Sequence, residues 1–263
     1  MNIWAIANQK GGVGKTTTAV SLAGWCATRG MPTLMVDLDP HGSLTAYFGL
    51  NPETVQSGVY TLFQRKEARL ADVVRATRYD NLWFVPASLG LATLDRQIGA
   101  QEGMGLVLSR ALAQVQQQFA VIVVDCPPML GVPMVNALAA CSHLVIPVQT
   151  EFLALQGLER MLRTMTMITR AKKIETPYTI VPTLFDRRTR AGQQNLAALR
   201  ERFGSHLSSA IIPVDTQFRE ASRIGAPLPM SAPDSRGAVA YAGLLDELLH
   251  SATVKGNATQ AVA

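Results

Sequence analysis

A chain of 263 residues with 48% hydrophobic and 16% charged residues has the length and balance of a globular protein with a sizeable core. No uninterrupted apolar run reaches the ~18 residues that a membrane-spanning helix needs, which sets that class aside. A net charge of +5 with a pI near 9.3 permits a polyanionic partner without requiring one.

In chain order, "NIWAIA" (2–7) is the first expected strand, followed by the loop "NQKGGVGKTTT" (8–18) and a helix over 15–29. Further strands are expected at 33–38, 82–87, 120–125, 143–148, 178–183 and 210–214, and helices at 103–118, 153–171, 191–203 and 236–250. Several of these strands are apolar on both alternating faces, as strands covered by helices on each side are. The alternation predicts an α/β fold: a doubly wound, mainly parallel sheet with helices on both faces. No Pro/Gly/Ser-rich linker divides the chain, so one domain is expected over 1–250, with a frayed tail over 251–263. That tail lacks an amphipathic face of bulky apolar and basic residues and is a poor membrane anchor. The N-terminal stretch shows no basic region followed by a cleavage site, so a cytoplasmic protein is expected.

The chemistry concentrates at a few points. Cys26, Cys126 and Cys141 are far apart, show no metal-ligand spacing and read as buried, reduced thiols. The loop at 8–18 follows a strand and opens a helix, the context in which a phosphate-binding loop is credible. Gly11, Gly12 and Gly14 allow a tight curl that, together with Val13, aims backbone N–H groups at phosphate oxygens. Lys15 offers a point charge to the β- and γ-phosphates of ATP, Thr16 a hydroxyl for Mg²⁺, and Thr17 a donor for the α-phosphate. The glycine of the strict pattern is replaced by Gln9, and a second lysine, Lys10, precedes the glycines. Asp37 and Asp39 stand at the end of an apolar strand in "LMVDLDPHGSLT" (34–45), where open α/β sheets hold ligands. "FAVIVVDCPPMLG" (119–131) ends a strand on Asp125, a carboxylate placed to hold Mg²⁺, commonly through water.

Read together, K-G-G-x-G-K-T-T, D-L-D-P and V-V-D-C-P-P make the chain similar to the ParA/MinD family of deviant Walker A ATPases, P-loop proteins, and "NQKGGVGKTTTA" is nearest the ParA/Soj branch. The resemblance implies a slow ATP hydrolase that cycles through an ATP-dependent homodimer. Lys10 then reaches across the dimer to the partner's ATP, and Asp39 orients the attacking water. Asp37 supports the metal, and Cys126-Pro127-Pro128 senses the γ-phosphate. The C-terminal segment 211–228 has the layout of the family's adenine-binding stretch, which implies contacts from Pro213 and Asp215, with Thr183 a further candidate. Relatives bind DNA non-specifically through nearby arginines, carried over here to Arg188; the other usual arginine position is Val214, for which Arg219 and Arg223, which follow it, are the candidates to compensate. His41 stands where the Soj-like pattern has glutamine.

The implied role is partitioning of DNA or positioning of cargo, with a ParB-like or analogous partner stimulating hydrolysis. Alternatives are a switch that places a protein array, such as chemoreceptor clusters, at a cell pole, a MinD-like membrane switch, and an iron–sulfur electron-transfer ATPase. The last needs two cysteines per subunit at a shared interface.

Overall fold

The structure, a computed structural model, describes residues 1–65, 67–98, 103–151, 154–172 and 176–260. Its strands are β1 (Asn2–Ile6), β2 (Thr33–Asp37), β3 (Arg75–Ala76), β4 (Leu82–Val85), β5 (Val121–Asp125), β6 (His143–Gln149) and β7 (Tyr178–Thr183). The helices are α1 (Lys15–Thr28), α2 (Ser43–Tyr47), α3 (Val59–Gln64), α4 (Leu94–Ile98), α5 (Val107–Ala113) and α6 (Val132–Ala140). They continue with α7 (Ala154–Lys172), α8 (Arg190–Phe203), α9 (Gln217–Arg223), α10 (Leu228–Ser231) and α11 (Arg236–Gln260).

The strands form one sheet in the order β3-β4-β2-β5-β1-β6-β7. All pairs are parallel except the short edge pair β3–β4. Alternation along each strand splits the core in two. Ala5, Leu34, Val36, Ile122, Val124, Leu144 and Ile146 face one buried layer, while Trp4, Ile6, Met35, Val121, Val123 and Val145 face the other. Every residue of β2 and β5 is buried, so these strands read as continuous apolar runs rather than alternating ones. Helices α5, α6 and α7 cover the first layer, and α1 and α11 the second.

The fold departs from the sequence expectation in several places. The run 210–214 is no strand: the segment makes only an isolated parallel bridge, from Pro213 to Phe185. The helix expected over 103–118 is a 3₁₀ turn at Met104–Leu106 followed by α5, which ends at Ala113. Helices α2, α3, α4, α6, α9 and α10 are not among the expected elements, nor is the two-residue edge strand β3. Finally, α11 runs on to Gln260, so part of the expected frayed tail is helical; 261–263 lie outside the described residues, as does residue 153 of the helix expected over 153–171. No helix among the described residues is long and apolar enough to cross a membrane.

Candidate functional site

At the C-terminal end of the central strands, β1, β2 and β5 each deliver a polar loop to one place. The loop after β1 turns through Gly12 at φ 74° and Gly14 at φ 89°, left-handed conformations that side chains resist. Gly14 is the N-cap of α1, and no side chain caps it, which leaves the first amides of the helix available to an anion. The Lys15 side chain, largely buried, folds back so that Nζ donates to the Lys10 carbonyl at 3.3 Å. On the far side, Thr183 at the end of β7 donates to the Val13 carbonyl at 2.8 Å, which ties that strand to the loop.

Lys10 points the other way. Its Nζ donates to Glu151 Oε2 at 2.7 Å and to Gln149 Oε1 at 3.2 Å, both just beyond or at the end of β6. The Asn8 carboxamide bridges the same region: Oδ1 accepts from the Lys10 amide at 3.0 Å, and Nδ2 donates to the Pro147 carbonyl at 2.7 Å. Gln9 has a physical account too. Its Nε2 donates to Thr164 Oγ1 at 3.2 Å, which fastens the entry of the loop to α7, a contact glycine cannot make.

The carboxylates sit side by side because β2 and β5 pair in a register that places Asp37 opposite Asp125. Thr16 Oγ1 donates to Asp125 Oδ2 at 2.7 Å, while Asp125 Oδ1 is buried with no hydrogen-bond partner. Burial, then the neighbouring Asp37 charge, push the Asp125 carboxyl well above the usual carboxylate range. Burial pushes Asp37 up to about 7, against the pull of hydrogen bonds from the Thr45 hydroxyl and amide and the Asp39 amide. An orphaned, buried carboxylate oxygen beside a second buried carboxylate and a hydroxyl is a donor set that suits a hard divalent cation. Asp39, less buried, accepts from the His41 amide at 3.0 Å and shapes the turn that follows β2.

Of the C-terminal candidates, Thr183 meets the loop at Val13, and Pro213 follows Ile212, whose amide donates to the Pro182 carbonyl beside Thr183. Pro213 lines a pocket of roughly 380 Å³ with Phe185, Asp186, Arg187, Arg188 and Arg236. The Asp215 side chain is committed to structure: Oδ1 accepts from the Gln217 amide and Oδ2 from the Gly237 amide, each at 3.0 Å. It therefore caps α9 and the start of α11 at once. Asp215→Ala should lower stability by about 1–3 kcal/mol, and the melting temperature by several degrees, in a thermal melt without nucleotide. Arg188 is held by Asp186 and Arg223 by Glu220, and the two line different hollows; Arg219 is exposed. The three arginines are thus not gathered into one cluster by side-chain contact.

The three cysteines are reduced and buried, and burial raises the Cys26 thiol to about 12 and Cys126 well above its ordinary value. Cys126 is a packing residue directly behind Asp125. Sequence reasoning passed over Asn8, Thr45, Gln149, Glu151, Thr164 and the buried Thr18–Tyr241 hydroxyl pair at 2.8 Å. Asn8, Thr18 and Thr45 lay within a motif; the others meet those stretches from across the fold.

A glycine-rich loop between β1 and α1, with a buried lysine and paired strand-end carboxylates, defines a P-loop nucleotide-binding protein. A family described as AAA domain matches residues 1–176. The sporulation initiation inhibitor protein Soj of Bacillus subtilis is 37% identical over 94% of this chain and 97% of its own. The chromosome-partitioning ATPase Soj of Treponema pallidum is 34% identical over 92% and 94%. Among solved structures, cobyrinic acid a,c-diamide synthase from Mycobacterium smegmatis, with bound ATP analog and magnesium, superposes with a TM-score of 0.82 at 30% identity over 95% and 94%. The chain belongs to the ParA/Soj family of P-loop ATPases.

Proposed function

We propose that this chain is an ATP-hydrolysing switch for partitioning DNA or positioning cargo, and that it works as an ATP-dependent homodimer. The convergence of Lys15, Thr16 and the orphaned Asp125 oxygen on one point carries the reading. Gly11, Gly12, Val13 and Gly14 supply backbone donors for the phosphates, with Lys15 and Thr17 adding charge and a hydroxyl. Mg²⁺, when bound through Thr16 and Asp125, supplies charge neutralisation at the β- and γ-phosphate oxygens. Asp37 holds the turn that carries Asp39, and Asp39 aligns the attacking water. Pro213 offers a wall for the adenine, and Asp215 keeps that wall in place by capping α9 and α11.

Lys10 is the residue assigned to the second subunit's nucleotide, which makes each site complete only in the dimer. Hydrolysis then separates the subunits. The reaction is slow in the isolated chain and faster with a stimulating partner of ParB-like or analogous kind, in the cytoplasm. DNA is the proposed scaffold, held through phosphates by Arg188, Arg219 and Arg223. Because two of these are ion-paired within the chain, binding requires exchanging Asp186 and Glu220 for phosphate, and it weakens steeply with salt. A gel shift on random-sequence DNA with ATP and Mg²⁺ at low salt tests this. Retarded DNA that disappears on raising the salt supports the scaffold, and no retardation at any salt rejects it while leaving the ATPase reading intact.

A further inference from the structure

The segment that leaves Asp125 is tied down at both ends and nowhere between by a described side chain. At its start, the Cys126 amide donates to the Ile6 carbonyl at 3.1 Å. At its end, the amide of Val132, the first residue of α6, donates to Asp95 Oδ1 at 2.6 Å. Asp95 comes from α4, 37 positions earlier. Helix α6 has glycine at its N-cap and proline in its first turn, so it has no cap of its own. Asp95 supplies that cap from another element.

The fit around the carboxylate is tight. A Cβ on Gly131 would overlap the exposed Asp95 carboxylate and displace it, while the glycine's extended backbone is open to any residue. Between the two ties, Pro127 is buried, Pro128 half-buried, and Met129 and Leu130 face solvent. Asp39, Pro40 and His41 stand across a small apolar pocket of roughly 250 Å³ that Asp95, Pro127, Pro128 and Gly131 also line. One residue thus touches the segment behind Asp125 while sharing a pocket with the Asp39 turn.

We infer that Asp95 is a positioning residue for ATP hydrolysis: by capping α6 it fixes the 126–131 segment, and with it the relation between the Asp125 and Asp39 sides of the site. The inference rests on the proposed ATPase reading. Since Asp95 touches none of the phosphate-loop residues, its loss acts on the turnover step and spares nucleotide capture.

Steady-state hydrolysis by the full chain, with ATP and Mg²⁺, tests it through four variants. Asp95→Ala is expected to lower kcat roughly tenfold with KM for ATP changed less than about twofold. Asp95→Asn keeps a carbonyl oxygen to accept from the Val132 amide and should recover most of that loss. Gly131→Ala displaces the same carboxylate and should match Asp95→Ala. The double variant Asp95→Ala/Gly131→Ala should be no slower than either single, because both break one contact. Unchanged kcat in Asp95→Ala, failure of Asn to rescue, or multiplying effects in the double variant each overturn the inference. Amide exchange gives a readout independent of turnover: the Val132 amide should exchange faster in Asp95→Ala than in the unmodified chain, and equal exchange overturns the capping role. If the unmodified chain hydrolyses no ATP, the ATPase reading fails alone, and the exchange comparison still decides for or against Asp95.

Discussion

Lys10→Ala should abolish ATP-dependent dimerisation while leaving nucleotide binding almost intact. The two lysines of the loop face different ways, and that separation is the basis of the expectation. Lys15 is buried and turned inward onto the loop's own carbonyl, so capture of the phosphates within one chain depends on it. Lys10 is directed away from the loop and held by Glu151 and Gln149. Both partners of the Lys10–Glu151 pair are substantially exposed, at 35% and 51% of the side chain, so the pair contributes on the order of 0–1 kcal/mol. It parks the ammonium without locking it there. In the proposed dimer, desolvated between two nucleotides, the same charge would meet phosphate and be worth far more. The expected result is at least a tenfold loss of ATP-induced dimer by sedimentation or light scattering, with the affinity for a fluorescent ATP analogue within about threefold. Glu151→Gln weakens the parking contact and should shift dimerisation in the opposite direction, toward lower ATP. A Lys10→Ala chain that dimerises normally with ATP removes the cross-subunit role.

How much of this was legible in the sequence follows from distance along the chain. The loop, its two lysines, Asp37, Asp39 and Asp125 were readable because each lies in a contiguous strand–turn stretch whose chemistry is local. The strands β2, β5 and β6 were readable because burial on both faces leaves an uninterrupted apolar run. The same rule failed at 210–214, where an equally apolar run makes only an isolated bridge at Pro213 to Phe185, and at α6, whose Gly131 and Pro133 look like loop residues until Asp95 is seen to cap the helix from elsewhere. What the sequence hid are the contacts that span the fold. Glu151 lies 141 positions from Lys10, and Thr164 lies 155 from Gln9. Periodicity and motif spacing carry no information on such pairs; sheet order does, since β1 is flanked by β5 and β6.

Asp125→Asn should stabilise the protein without nucleotide and at the same time stop catalysis. Asp37 and Asp125 are buried neighbours of like charge, and Asp125 keeps one oxygen without any partner. The carboxyl of Asp37 is raised from 3.8 to about 7, so the folded state holds its proton over a range where the unfolded chain has released it. Its stabilising contribution is complete below about 3.8 and is lost as the pH climbs through 7; Asp125, also raised, adds in the same sense. The metal-free protein should therefore melt at lower temperature at pH 8 than at pH 6 from this pair. Replacing one carboxylate by an amide removes the repulsion and most of that slope. A gain of roughly 1–4 kcal/mol at pH 8 is expected, a rise in melting temperature on the order of 5 °C. The counterpart is function: an amide binds a hard divalent cation poorly, so Mg²⁺-dependent ATP hydrolysis should drop at least a hundredfold. Stability and activity moving in opposite directions is the signature of two carboxylates kept together for a cation. If Asp125→Asn instead melts lower than the unmodified chain at pH 8, the pair holds the fold together and that account of its burial fails.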